Sequence, residues 1–64
     1  SYDGAGFYKA RCKMLASNVE YLQEMGLFDD LVMDMFNDAE QRGILDSVKT
    51  IFMLSLKRYY NKGY

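Results

Sequence analysis

The sequence predicts an all-α fold, a three-helix antiparallel bundle in which residues 1–64 form a single small helical domain that associates as a helical homodimer. Three observations predict it. Apolar residues recur at intervals of three and four through three segments, the period of one helix face. Nowhere do apolar and polar residues alternate strictly over five or more positions, so a β reading fails. In a chain without proline the punctuation falls to glycine, and Gly26 and Gly43 stand where helices would end.

The first helix is expected over about residues 5–25. Ala5, Tyr8, Cys12, Leu15, Val19 and Leu22 follow a helix seam, and Asp3 stands where it would cap the start. The second is expected over about 28–42, with Phe28, Leu31, Val32, Met35, Phe36 and Ala39 on one side. Asp29 and Asp30 lie in its first turn, where the helix dipole favours negative charge. The third is expected over about 46–61: Asp46 would cap a run whose Val48, Ile51, Phe52, Leu56 and Tyr59 share a side, and Lys57, Arg58 and Lys62 suit its C-terminal end. The joins at Gly26 and Gly43 are short, which makes consecutive helices antiparallel or sharply crossed.

The first helix carries two apolar stripes where a small monomer needs one. Phe7, Met14, Tyr21 and Met25 lie about 120° from the main seam, with Arg11 and Asn18 between the two. Either the other two helices cover one stripe each, or a second chain covers one of them. The third helix favours a second chain, because Met53 and Leu54 fall inside its polar arc. Met53, Leu54 and Tyr60, with Phe7, Met14 and Tyr21, are therefore the expected interface. The five methionines read first as core filler; on a surface, their flexible thioethers would adapt to more than one partner.

Stability arithmetic points the same way. A chain of 64 residues buries only about 60% of the surface its unfolded form exposes. One cysteine permits no internal disulfide, and the absence of histidine removes the commonest metal ligand. With those staples missing, helix packing and a second subunit are what remain.

The net charge of −1 conceals segregation. Residues 27–43 hold Asp29, Asp30, Asp34, Asp38 and Glu40 against Arg42, a sum of −4, whereas residues 44–64 hold Lys49, Lys57, Arg58 and Lys62 against Asp46, a sum of +3. Asp30, Asp34 and Asp38 are spaced i, i+4, i+8, an acidic helix face that reads either as a solvated surface or as a docking face for a basic partner. As a calcium loop the row fails, for want of the glycine turn and the closing glutamate. Lys49, Lys57, Arg58 and Lys62, interleaved with tyrosines, would be the contacts to a nucleic acid, with Ser47 and Thr50 beside them in a helix-turn-helix arrangement. The acidic second helix and the non-positive total argue against that reading.

Enzymatic function is not expected. Without histidine no base of suitable pKa is at hand to activate Ser17 or Cys12, and Cys12 lies on the apolar seam as a small hydrophobe. No cofactor and no metal are expected. The longest apolar run, Ile51–Leu54, is far below the roughly 20 residues that span a bilayer, no secretory signal pattern is present, and a lone cysteine suits the cytoplasm. The expected function is that of a regulator, adaptor or assembly factor that acts through a dimeric apolar surface and an acidic helix face. The alternative is a nucleic-acid-binding transcriptional regulator with a basic, aromatic C-terminus.

Overall fold

The computed structural model describes residues 4–61. Asp3 and Lys62, the expected cap and the last of the expected basic contacts, lie outside the described residues. Every regular element is helical: α1 (Gly4–Phe7), α2 (Lys9–Ser17), α3 (Val19–Glu24), α4 (Phe28–Gln41) and α5 (Leu45–Tyr60). No described helix is long and apolar enough to cross a membrane.

Gly26 and Gly43 close their helices as expected, with φ of 71° and 75°, a conformation that costs an L side chain about 1–2 kcal/mol. Each builds a Schellman motif. At the first, the Gly26 N–H donates to the Gln23 carbonyl at 3.0 Å and the Leu27 N–H to the Leu22 carbonyl at 2.9 Å. The second repeats the pattern, Gly43 to Glu40 and Ile44 to Ala39, both at 3.0 Å. Leu27 and Ile44 then serve as the first capping residues of α4 and α5. The cap expected from Asp46 is thus not made: Asp46 lies in the first turn of α5, where its carbonyl accepts the Thr50 hydroxyl at 3.1 Å.

The expected continuous helix over 5–25 is instead three segments. Tyr8 ends the four-residue α1, its N–H bonded to the Ala5 carbonyl at 3.0 Å, three residues back. The second break is chemical. The Asn18 side-chain amide donates to the Met14 carbonyl at 2.8 Å and the Ser17 hydroxyl to the same oxygen at 3.1 Å, while the Asn18 N–H is diverted to Leu15 at 3.3 Å. Side chains have taken the acceptor that a continuing helix requires, and Asn18 leaves helical geometry at φ −127°, ψ 25°.

α5 packs principally on α2, α4 packs on α5 and more lightly on α2, and α3 packs on α4. Contacts fix the directions. Gly4 lies against Ile44 and Ala16 shares a cleft with Tyr59, so α2 and α5 run parallel; Tyr8 meets Asp38 and Cys12 meets Met35, so α4 runs opposite to α2. The core is the predicted seam: Tyr8, Cys12, Leu15, Leu22, Met35, Ala39, Val48 and Phe52 are buried, with Phe28, Leu31, Val32, Phe36, Ile51 and Leu56 packed around them. Phe36 meets Phe52 edge-on at 5.8 Å between centroids, and Phe28 lies 6.4 Å from the same ring. Tyr59, expected on the core side, is exposed. The molecule is flat, 31 × 28 × 15 Å, with a radius of gyration of 12.0 Å against about 10–11 Å for a compact chain of this length. Flatness leaves few interior positions and much apolar surface outside.

Candidate functional site

The second stripe is largely uncovered in the single chain: Phe7, Met14, Tyr21 and Met25 are each between 45% and 60% exposed. Tyr21 joins Tyr59 and Tyr60 around a cleft of about 300 Å³ where α2 breaks into α3, walled also by Ala16 and Val19. The α2–α3 break therefore shapes this cleft, and the structure brings together two of the expected interface residues, Tyr21 and Tyr60, that the sequence separates by 39 positions.

Met53 and Leu54 are exposed, at 59% and 55%. They do not form one patch with Tyr60, because adjacent residues stand about 100° apart on a helix. Met53 and Tyr60, seven residues apart, share one flank of α5. Leu54 turns to the other flank and lines a second groove, of about 220 Å³, between α2 and α5. Lys9 and Lys13 line it from α2, and Ile51, Leu54, Ser55 and Arg58 from α5.

The acidic face is shorter than its spacing implied. Asp30 and Asp34 are exposed, but Asp38 is half-buried and turned inward, where its Oδ2 accepts the hydroxyl of the fully buried Tyr8. Arg42 Nε reaches Asp38 Oδ1 at 3.4 Å, and Arg11 stands 4.0 Å from Oδ2 while lying 5.5 Å over the Tyr8 ring. The Tyr8 hydrogen bond, helped by both guanidinium groups, holds the Asp38 carboxyl below its usual range against the opposing effect of desolvation. The same bond, with burial, pushes the Tyr8 phenol up. Beside them the Cys12 thiol, 3.8 Å from the Met35 sulfur, is pushed up by burial and only slightly offset by Arg11. This cluster ties α2 to α4 as structure, and Asp38 is committed to it.

Lys49, Lys57 and Arg58 do not converge, since they point to three different sides of α5. Arg58 instead joins Lys9 and Lys13, a grouping invisible along the chain because it depends on α2 and α5 lying side by side. Lys9, Lys13 and Arg58 make no ion pair among the described residues, and no acidic residue lines their groove. Among the described residues no group of three potential ligands is placed to hold a metal ion. No known protein family, curated protein or solved structure matches this chain.

Proposed function

We propose that the chain is a three-helix antiparallel bundle that works as a cytoplasmic interaction module, a regulator, adaptor or assembly factor rather than an enzyme, and that it does so as a homodimer. The observation that carries this is the uncovered edge formed by Phe7, Met14 and Tyr21 and continued by Tyr60 across the tyrosine-lined cleft. Each such side chain has about half its surface left to bury, worth roughly 1 kcal/mol apiece, and a twofold axis counts every one twice. Glu20 is the one charged residue among those that line the cleft, so two copies can meet there with little repulsion. A twofold contact on the outward face of α4 would instead oppose Asp30 and Asp34 to their own images, and one on the α2–α5 groove would oppose three cations to three. Asp30 and Asp34 remain free, in this reading, to meet a basic surface.

The test is a Met14→Glu, Tyr21→Glu variant studied by sedimentation velocity. Both positions are solvent-facing, so the far-ultraviolet dichroism should stay native while the dimer is lost. A variant that keeps its native helicity and still sediments like the parent would refute the assignment of this edge.

A further inference from the structure

We infer that the groove between α2 and α5 receives the outward face of α4 from a second copy of the chain, joining copies head to tail. The inference rests on the reading of the chain as a self-associating module but concerns a different surface from the neutral edge.

Two features of the molecule are complementary and both are unsatisfied. The groove has three cations, Lys9, Lys13 and Arg58, that make no ion pair among the described residues, and Ile51 and Leu54 supply its apolar lining. The outward face of α4 presents Asp29, Asp30 and Asp34, all exposed and none in an ion pair among the described residues, around an exposed Met33. The spacings agree. Lys9 and Lys13 are one turn apart along α2, as Asp30 and Asp34 are along α4, so each carboxylate faces an ammonium at the same interval of about 6 Å. Met33 stands at the centre of the acidic face, where it would meet Leu54, and an unbranched thioether suits an apolar lining. A groove bounded by two parallel helices has the form of a helix receptor.

The placement also determines the kind of assembly. The groove opens on the side of α2 and α5 away from α4, and α4 turns its acidic face away from both. One twofold contact cannot pair groove with α4 face in both directions. The contact is heterologous, and copies joined this way add in series. The residues concerned form ion pairs in water, so the association weakens as salt shortens the screening length from about 20 Å at 20 mM to about 4 Å at 500 mM.

Sedimentation velocity on the full chain tests this at those two salt concentrations. At about 500 mM the neutral-edge dimer should persist alone, and at about 20 mM the mass should rise with protein concentration to no fixed limit. The groove variant Lys9→Glu, Lys13→Glu and the face variant Asp30→Lys, Asp34→Lys should each abolish the low-salt species, shifting its onset at least tenfold in concentration. Mixing the two variants, or combining all four changes in one chain, should restore it, because the charges then oppose correctly again. A wild-type chain with the same mass at both salts would overturn the inference, whether that mass is a monomer or a dimer. So would variants that associate like the parent, a mixture of natively helical variants that fails to recover, or a low-salt wild-type chain that gathers only when a polyanion such as heparin is added. Low-salt growth from monomers would sustain this inference and refute the neutral-edge dimer, so the two failures are distinguishable.

Discussion

The two flanks of α2 meet opposite fates. Toward α4, Tyr8, Cys12 and Leu15 are buried, the one charge that intrudes is answered by the Tyr8 hydroxyl and two guanidinium groups, and among the described residues no buried side-chain polar atom lacks a partner. Toward the outer side of α5, Lys9 and Lys13 line a groove with Arg58 and Leu54, and no acidic residue among those described answers them. A single nine-residue helix thus holds the molecule together on one side and leaves chemistry unspent on the other. The difference teaches that in a chain this short the core and the contact surface are separated by only a quarter turn of helix.

Truncation should draw that contrast most sharply. Met35→Ala removes a fully buried side chain from the closed flank and should cost about 2–5 kcal/mol, enough to unfold much of the population in denaturant titration. Leu54→Ala, on the open flank, should change stability by no more than about 0.5 kcal/mol while weakening low-salt association. Equal losses at the two positions would mean that Leu54 is part of the fold.

The pH dependence of stability should report the closed flank. Asp38 is held below its ordinary value in the folded chain, so the stability it contributes is present above about pH 4 and lost as pH falls through the lowered value. Tyr8 is raised, so its contribution is present below about pH 10 and lost as pH rises through the raised value. Denaturant midpoints from pH 2 to 12 should form a plateau with both shoulders, and Tyr8→Phe should weaken both because it removes the bond they share.

The smallest effect belongs to the break between α2 and α3. Asn18→Ala frees the Met14 carbonyl from the Asn18 amide, leaving the Ser17 hydroxyl as its remaining side-chain donor. The N–H at position 18 should then regain its bond four residues back, visible as slower amide exchange there, with stability changed by well under about 1 kcal/mol. The cleft shared by Tyr21, Tyr59 and Tyr60 should deform, and association through it should weaken.

Much of the fold was legible because its signals are local. With no proline to compete, Gly26 and Gly43 could be read as helix ends, and the seam from Tyr8 to Leu22 is periodic enough to name the core. The Asn18 break was missed because apolar periodicity runs through it, although adjacent serine and asparagine do compete for backbone carbonyls. Exposure of Met53 and Leu54 was legible from the polar arc around them, but not that they face different flanks. The pairing of Tyr8 with Asp38, 30 residues apart, has no local signature. Neither has the meeting of Lys9 and Lys13 with Arg58. Both follow from how helices are laid side by side, which spacing along one helix does not encode.

The central claim, that this chain works by contact with copies of itself through surface its own helices leave uncovered, is tested most directly by the mass of the wild-type chain. Light scattering at about 500 mM salt, where charged contacts are screened, should give twice 7.5 kDa at high concentration, falling toward 7.5 kDa on dilution. A mass of 7.5 kDa at every concentration, both there and at about 20 mM salt, would contradict it.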